Sequence, residues 1–371
     1  MNIYKILEKI ADRKIYIWGA GRFGNVVGNF LCYHNIEWEG YIDNNKFNQY
    51  IYINEIKKFV YSPIIIDFSN TIVLISVLSI ESAKSIENQL LGYKMNKDNI
   101  VNLFPYVKII YSDAVKSPGC LRYTEKILKV KNKYMGERAF IIGNGPSLRL
   151  EDLNKIIKEY SFATNSIINC FDKTIWRPSF YFTRDELCSR DILGDENNLI
   201  MLSKECKYIF LSVFDSNLLR LEIENRFNNI LFFSYLYNNI ILYKKGLYDS
   251  FEFAADNCEK GVNMAGTILF SVLEFAIYMG FKELYLLGVD NSYTLDPEKD
   301  KIRNYSEILN GKDIIDGMYY DMSSFSADTH LMEIGYITAK KYADSHGIKI
   351  YNATRGGKLE VFPRVDFDKL F

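Results

Sequence analysis

The sequence predicts an α/β protein with two doubly wound parallel sheets, and three observations lead to this class. Short apolar runs alternate with segments of helical spacing along much of the 371 residues. One apolar run near the start of the chain and one in mid-chain each break into a glycine-rich turn that precedes a helical pattern. Alternating strands and helices of this length favour parallel sheets covered by helices. We expect a module at residues 1–110, a linker with a helix at 111–137, and a second domain at 138–371.

The elements of the first module follow from the spacing of apolar residues. An amphipathic helix runs to about Asp12, and a strand, a glycine turn and an apolar-faced helix follow it. Further short apolar runs are typical of strands. The predicted elements after the first helix are the strand Lys14–Trp18, the turn Gly19–Gly24, a helix carrying Val26, Val27, Phe30 and Leu31, the strand Glu39–Asp43, strand-like runs at Ile64–Asp67 and Ile72–Ser76, and the helix Ser79–Leu91.

The connection and the second domain are predicted in the same way. Residues 111–135 are polar and basic and are broken by Pro118-Gly119, which indicates a linker followed by the helix Leu121–Lys133. The second domain then alternates strands and helices again. Its predicted elements include strands at Ser161–Asn165, Tyr181–Asp185 and Tyr208–Ser212, the helix Thr267–Met279, the strand Glu283–Asp290, the helix Leu331–Ser345 and the strand Lys349–Tyr351.

Composition excludes several classes of function. A net charge of −1 argues against bulk electrostatic capture of nucleic acid or of an anionic membrane. No uncharged run approaches the length of a membrane span, and the first residues lack the apolar core of a signal peptide. The six cysteines are scattered without zinc-like spacing, which favours free thiols in a reducing compartment, so we expect a cytoplasmic protein. The aromatic segment Leu231–Tyr248, with Lys244 and Lys245, leaves peripheral membrane contact open beside a buried core with a loop, and a homo-oligomer is also left open.

A dinucleotide-type fingerprint lies near the start of the chain. Gly19, Gly21 and Gly24 follow a predicted strand and open a helix, and Asp43 lies at the end of the next strand. Such glycines allow a tight turn and the close approach of a pyrophosphate, while the carboxylate accepts hydrogen bonds from ribose hydroxyls. A Rossmann-like module that binds a nucleotide or nucleotide sugar is one interpretation, and a docking module that keeps the turn is the other.

The mid-chain turn is the more specific signal. It consists of Gly143, Asn144, Gly145, Pro146 and Ser147, and a helical pattern follows it at Leu153, Ile156, Ile157 and Tyr160. Unpaired amide groups and the helix dipole attract anions at such a helix start. Asn144 offers donors and acceptors to a sugar or base, and Ser147 either caps the helix or binds phosphate. The pattern predicts a phosphate-handling site.

Other polar residues follow predicted strands or precede a helix. Asn165, Asp185 and Asp290 each come directly after an apolar run, where the carboxyl ends of parallel strands face a ligand crevice. Tyr293 follows three residues after Asp290, and Thr267 opens an apolar helix as a second phosphate-facing terminus. Ordinary turn capping is the alternative for the asparagine and the aspartates.

His330 is the candidate base. It stands at the start of the helix Leu331–Ser345, directly after Asp328-Thr329. The positive end of a helix disfavours imidazolium, so a histidine at that place is kept as a neutral base near pH 7. A capping or surface histidine is the alternative.

Four segments of the second domain resemble the MptE-like family, which groups archaeal 6-hydroxymethylpterin diphosphokinases with bacterial proteins tied to surface-glycan and flagellin glycosylation. They are Ile-Ile-Gly-Asn-Gly-Pro-Ser-Leu at 141–148, Phe-Ala-Thr-Asn at 162–165, Gly-Phe-Lys-Glu-Leu-Tyr-Leu-Leu-Gly-Val-Asp at 280–290, and Asn-Ala-Thr-Arg-Gly-Gly-Lys-Leu at 352–359. The same segments resemble bacterial CMP-sialic-acid-dependent sialyltransferases. The resemblance covers roughly residues 138–360 and implies that the second sheet is of the MptE-like and sialyltransferase type.

The sialyltransferase resemblance implies roles for individual residues. Asn144 falls on the asparagine of the donor-binding turn, and Asn165 falls on a later asparagine that contacts the nucleotide. His330 falls on the general-base histidine, because a helix and the strand-like run Gly347–Tyr351 follow it as they do in that family. Tyr293 corresponds to one of two tyrosines that hold the departing phosphate. The sequence departs from the family at Asp185, where the enzymes have an asparagine.

These implications lead to three functions. The first is a glycosyltransferase that uses a CMP-activated sugar of the nonulosonic-acid type to modify a cell-surface glycan or glycoprotein, with His330 as general base and no required metal. The second is a diphosphokinase of the 6-hydroxymethylpterin type, in which Asp185 and Asp290 would hold Mg²⁺. The third is a non-catalytic scaffold that binds nucleotide sugars.

Overall fold

The computed structural model describes residues 3–10, 12–53, 56–114, 116–184, 195–212, 226–234, 253–292 and 329–371. The chain divides into two compact units, Met1–Thr124 and Glu125–Phe371. Each unit contains one mainly parallel sheet with helices between its strands. This architecture confirms the predicted α/β class with two Rossmann-like sheets. The domain limits at residues 110 and 138 stay predictions.

The first unit alternates strands and helices from its start. Its helices are α1 (Ile3–Ile10), α2 (Arg22–Tyr33), α3 (Ile80–Gly92) and α4 (Val107–Ala114), and α5 (Pro118–Leu128) crosses the boundary between the units. Its strands are β1 (Lys14–Trp18), β2 (Gly40–Ile42), β3 (Gln49–Ile53), β4 (Ile56–Tyr61), β5 (Thr71–Ile75) and β6 (Ile100–Asn102).

The first sheet has the strand order β3-β4-β2-β1-β5-β6. All neighbouring pairs are parallel except β3 with β4. The strand order reverses at β1, so the carboxyl ends of β1 and β5 form a switch point of the kind where open α/β sheets bind ligands. The Gly19–Gly24 turn lies there.

One predicted strand of this unit is wrong. The apolar run Ile64–Asp67 does not join the sheet, and Pro63–Ile65 forms a 3₁₀ turn instead. Pro63 begins the turn, and Ile64 and Ile65 are 80% and 63% exposed. An apolar run therefore forms no strand here because no partner buries it.

A buried carboxylate connects three helices of the first unit. Asp113, on α4, is 4% exposed and accepts hydrogen bonds from Tyr4 Oη (3.0 Å), His34 Nε2 (3.1 Å) and Lys116 Nζ (2.6 Å). Burial alone would raise the pKa of Asp113, but the bonds from Lys116, His34 and Tyr4 outweigh it and lower the pKa. The cluster stabilises the packing of α1 and α2 against α4.

Asp113→Asn should lower the free energy of unfolding by about 1–3 kcal/mol, because the three donors lose their charged acceptor. The wild-type contribution should be present above the unfolded-state pKa of aspartate and should be lost as the pH falls below it. Chemical denaturation between pH 3 and pH 7, with exposed Asp98→Asn as the control, measures both effects. Equal stability of the two variants at neutral pH would contradict the role of this cluster.

The second unit also alternates helices and strands. Its helices are α6 (Leu150–Lys155), α7 (Glu196–Glu205), α8 (Ile268–Tyr278) and α9 (Thr329–Ser345). Its strands are β7 (Arg138–Ile142), β8 (Tyr160–Thr164), β9 (Phe180–Thr183), β10 (Tyr208–Ser212), β11 (Ile230–Phe233), β12 (Glu283–Leu287) and β13 (Lys349–Asn352).

The second sheet has the strand order β11-β10-β9-β8-β7-β12-β13, and every neighbouring pair is parallel. Aromatic side chains fill much of its core. Phe182 stacks on Phe210 with 4.1 Å between ring centroids, and Phe275 of the buried helix α8 packs against both rings. Central strands that are buried on both faces account for the uninterrupted apolar runs in the sequence.

Two helix predictions in this part are corrected. The helix after the mid-chain turn ends at Lys155, and Tyr160 belongs to β8, where its ring packs against Tyr134 and Phe180. Packing on the sheet thus overrides the helical spacing of the sequence. The helix predicted at Leu121–Lys133 is observed as α5 but begins at Pro118 and ends at Leu128, and residues 111–114, predicted as linker, complete α4 instead. Within the described residues, no helix is both long and apolar enough to cross a membrane.

Candidate functional site

The mid-chain glycine turn lies at the switch point of the second sheet. The chain continues from β7 to β8 on one side, whereas β12 pairs with β7 on the other. The turn after β7 and the loop after β12 pair through their backbones, because Gly143 N donates to Leu287 O (2.8 Å) and Gly145 N donates to Gly288 O (2.9 Å). Two of the predicted site segments therefore meet at the place where such sheets bind ligands.

Asp290 connects these two loops. Its Oδ2 accepts hydrogen bonds from Ser147 Oγ (2.8 Å) and Ser147 N (3.3 Å), and the residue is only 8% exposed. A Cβ at Gly145 would overlap Asp290 Oδ2, so the close approach of the carboxylate requires glycine. The hydroxyl of Ser147 is thus used by Asp290 and does not cap α6, whose N-cap residue is Arg149. Pro146 is exposed beside it.

Two predicted asparagines present acceptor atoms at the same edge of the sheet. Asn144 Nδ2 donates to Thr164 O (3.0 Å), and this bond fixes which way the amide points. Asn165, which follows β8, has a φ of +50°. The Oδ1 atoms of Asn144 and Asn165 are buried, and no described residue donates a hydrogen bond to them. A buried acceptor without a partner is costly, so a ligand that donates to it would be stabilised.

Asn291 was not predicted as a site residue. It follows Asp290 directly, has a φ of +48°, and its buried Oδ1 also receives no hydrogen bond from the described part of the chain. Its position just past an apolar run is the signal that identified Asn144 and Asn165. The three amide oxygens follow β7, β8 and β12, which are adjacent strands of one sheet.

His330 lies at the start of α9 and is exposed. Because β12 and β13 are parallel, the helix that leads into β13 begins at the carboxyl edge of the sheet. The topology therefore places His330 and the Asn144 turn at the same carboxyl edge of the second sheet. A Cβ at Gly335, farther along α9, would overlap the Cβ of Ala265, so α9 approaches the segment before α8 closely at this glycine.

Thr267 begins the helix that leads into β12. Its Oγ1 accepts a hydrogen bond from Leu269 N (3.3 Å), so this hydroxyl is an N-cap. A phosphate contact of Thr267 stays a prediction.

A buried glutamate fixes the segment before α8. Glu274 is fully buried, its Oε1 accepts from Ala254 N (2.7 Å) and Asn263 Nδ2 (3.1 Å), and its Oε2 accepts from Asn263 N (2.7 Å). Burial raises its pKa to about 7, although these hydrogen bonds favour the ionised form. The bonds hold the chain that leads to Thr267.

The N-terminal fingerprint has its own geometry. Gly19, Gly21 and Gly24 lie in the turn between β1 and α2, and Asp43 Oδ2 accepts from Ala20 N (3.0 Å). Asp43 Oδ1 accepts from the backbone N–H groups of the next loop, Asn45 and Lys46. Burial opposes ionisation of Asp43, but these donors outweigh it and lower the pKa. Asp43 thus supports the turn itself, and contact with a ribose stays a prediction.

Three predictions fall outside the described residues. These are Asp185, Tyr293 and most of the aromatic segment, from residue 235 to residue 248. In the ranges that the structure covers, no group of three or more His, Cys, Asp or Glu side chains is arranged to hold a metal ion. Asp290 was the other candidate ligand of Mg²⁺, and its Oδ2 is already bonded to Ser147.

A comparison with protein families matches residues 119–296 to the model described as 6-hydroxymethylpterin diphosphokinase MptE-like. The chain contains an MptE-like domain. The matched part of this domain includes the Asn144 turn and Asp290, whereas His330 and the loop after β13 lie beyond it. A comparison with curated proteins found no match to this chain.

Several solved structures resemble the chain at low identity. The sialyltransferase CstII from Campylobacter jejuni, solved with the substrate analogue CMP-3FNeuAc, is 18% identical over 62% of this chain and 86% of its own, with a TM-score of 0.35. The sialyltransferase Cst-I from the same organism is 18% identical over 62% and 81%, with a TM-score of 0.36. The MAf glycosyltransferase from Magnetospirillum magneticum AMB-1 is 13% identical over 81% and 49%, also with a TM-score of 0.36.

Proposed function

We propose that this protein is a glycosyltransferase that uses a CMP-activated sugar of the nonulosonic-acid type to modify a cell-surface glycan or glycoprotein. The observation that carries the proposal is the group of buried amide oxygens at the switch point, next to the Asp290–Ser147 pair. The sequence segments that resemble sialyltransferases contain two of these asparagines and support the same conclusion.

The buried amide oxygens of the site favour a nucleoside that carries hydrogen-bond donors. Asn144 commits its Nδ2 to Thr164 O, so the buried Oδ1 is fixed as an acceptor. Ribose hydroxyls, the exocyclic amino group of cytosine and the N3–H of uracil all supply such donors, so the choice of CMP rests on the segments that resemble sialyltransferases. In the proposal, Asn144 and Asn165 hold the nucleoside side of the donor.

The transfer step needs a base and a stabilised leaving group. His330 would take the proton from the acceptor hydroxyl as its oxygen bonds to the anomeric carbon, while the bond from that carbon to the phosphate oxygen of CMP breaks and CMP leaves. Tyr293 would donate a hydrogen bond to the departing phosphate. This bond would stabilise the negative charge that a metal ion otherwise stabilises, so the reaction would need no metal. Both assignments are predictions from the sequence.

The first experiment measures ligand binding. Thermal shifts and titration calorimetry with CMP, CDP, UDP, ADP, ATP and NAD, with and without Mg²⁺, should identify CMP as the ligand that binds without metal. Incubation with a CMP-activated nonulosonic acid and a glycan acceptor should then release CMP. If the protein binds none of these nucleotides, the proposal is contradicted.

Asn144→Ala should weaken CMP binding about tenfold or more, because the ligand loses a buried hydrogen-bond partner worth roughly 1–3 kcal/mol. Titration calorimetry measures the change, and Asn70→Ala, at an exposed asparagine of the first unit, is the control. An unchanged dissociation constant in a folded Asn144→Ala variant would remove Asn144 from the site.

The second candidate is the Mg²⁺-dependent diphosphokinase, and the name of the matching family model favours it. In that case Asp290 would have to ligate the ion through Oδ1 or release Ser147 from Oδ2. ATP consumption with formation of AMP, abolished by EDTA, would establish this reaction. Nucleotide binding without any turnover would instead support the scaffold.

A further inference from the structure

The segment after β13 folds into a compact loop that the proposed function does not use. Asn352, which is fully buried, closes the loop: its Nδ2 donates to Leu359 O (2.7 Å), and its Oδ1 accepts from Thr354 N (3.0 Å). Arg364 donates to the carbonyl oxygens of Gly356 (2.6 Å) and Gly357 (3.2 Å) from outside. These bonds give the loop a defined shape.

One side of the loop forms hydrogen bonds with the backbone of Val289 and Asp290. Thr354 Oγ1 accepts from Val289 N (3.1 Å), and Lys358 N donates to Asp290 O (2.7 Å). Gly357 has a φ of +76°, and a Cβ there would lie 2.7 Å from both Asp290 Cα and Asp290 O. The loop therefore contacts the residue that bonds to Ser147, and only glycine fits at the point of contact.

The other side of the loop forms an ion pair with α6, the helix that follows the glycine turn. Arg355 donates from Nε and Nη2 to the two carboxylate oxygens of Asp152 at 2.7 and 2.9 Å. Asp152 belongs to α6 and is 2% exposed, so this two-bond pair is largely shielded from water. Its hydrogen bonds, first of all to Asp152, raise the pKa of Arg355 and keep it charged. The loop thus contacts both sides of the switch point.

We propose that Thr354–Lys358 is a clamp that positions Asp290 against the glycine turn and thereby sets the affinity of the nucleotide site. The clamp contacts the backbone of Val289 and Asp290 and the side chain of Asp152 but not the ligand, so its residues are positioning residues. The identity of the ligand as CMP rests on the proposed function, whereas the connection between the clamp and the turn does not.

The hydroxyl of Thr354 allows a matched test. Thr354→Val keeps the shape but leaves Val289 N without its acceptor, whereas Thr354→Ser keeps the hydroxyl. Thr354→Val should raise the dissociation constant of CMP about five- to tenfold at a temperature where the variant is fully folded, and Thr354→Ser should bind like the wild type. Thr338→Val, which removes a hydroxyl that donates to Ile334 O within α9, is the control.

Hydrogen–deuterium exchange gives a measurement without ligand. In Thr354→Val, peptides that cover residues 143–148 and 288–291 should exchange faster than in the wild type, because Ser147 N and Val289 N lose protection. Thr354→Ser and Thr338→Val should leave these peptides unchanged. If Thr354→Val lowers only the melting temperature and changes neither exchange in 143–148 nor CMP affinity, the clamp is refuted.

The two readouts separate the clamp from the proposed function. A wild-type protein that binds no nucleotide, together with faster exchange in Thr354→Val, refutes the function and supports the clamp. Should Thr354→Val not fold, Gly357→Ala takes its place, because its Cβ must displace Asp290. Normal exchange at 143–148 in folded Gly357→Ala overturns the proposal.

Discussion

His330→Ala should lower kcat by about 10²–10⁴-fold, which is the usual contribution of a general base. Donor binding should be almost unchanged, because the proposed contacts to CMP come from Asn144 and Asn165. His330 is exposed at the start of α9, so its removal should cost little stability. Steady-state kinetics of CMP release and calorimetric titration of CMP measure the two effects on the same preparation.

His346→Ala is the matched control, because it removes a histidine just beyond the other end of α9. That ring stacks on Tyr342 with 4.0 Å between centroids and lies near the amino edge of the sheet, so its loss should leave kcat unchanged. Wild-type turnover in His330→Ala would remove the histidine from the mechanism. Loss of CMP binding in the same variant would instead assign it to the donor site.

Hydrophobic spacing predicts the central strands well, because burial on both faces leaves continuous apolar runs. Lys14–Trp18 and Tyr208–Ser212 are observed with the predicted bounds. The hairpin of β3 and β4 at the edge of the first sheet was missed. Its connecting residues 54–55 are Asn-Glu and lack the Asn-Gly or Asp-Gly signal of a two-residue hairpin. Edge strands carry mixed polar patterns, so their turn chemistry decides whether they are recognised.

Local sequence identifies the polar residues of the site but not their partners. Asn144, Asn165 and Asp290 stand out because each follows an apolar run. The bond between Asp290 and Ser147 joins residues 143 positions apart, and only the pairing of β7 with β12 brings them together. The clamp is harder still to predict: Thr354–Lys358 lies within the segment 352–359 that stands out in the sequence, but nothing in that segment shows that it contacts Val289, Asp290 and Asp152.

The hydrogen-bond partners of Glu274 in α8 could not be predicted from the sequence either. The helix was predicted as an apolar core element, and all its residues are buried, Glu274 included. A charged residue in such a helix is expected to face solvent, yet this carboxylate accepts three hydrogen bonds from Ala254 and Asn263. The donors come from a segment that sequence spacing does not connect to the helix.

Glu274→Gln should lower the free energy of unfolding by about 2–3 kcal/mol at pH 5. At this pH the wild-type carboxyl group is protonated, but its hydroxyl oxygen still accepts hydrogen bonds and its single proton can turn away from the donors. The Nε2 of a glutamine accepts no hydrogen bond and must face Ala254 N or Asn263 N, so two donors then oppose each other. Chemical denaturation measures the loss, and exposed Glu151→Gln on α6 is the control. Equal stability of the two variants at pH 5 would contradict the hydrogen-bonding role of Glu274.

The difference between wild type and Glu274→Gln should also depend on pH in a defined direction. The pKa of Glu274 is about 7 in the folded protein against 4.5 in the unfolded chain, so between these values the folded state holds a proton that the unfolded state has released. The stability of the wild type should therefore fall as the pH rises through this range, by about 3 kcal/mol in total. The glutamine variant lacks this titration, so its deficit should shrink from pH 5 to pH 8. A deficit that stays constant over this range would mean that the carboxylate ionises near its ordinary pKa and that its three donors offset the burial.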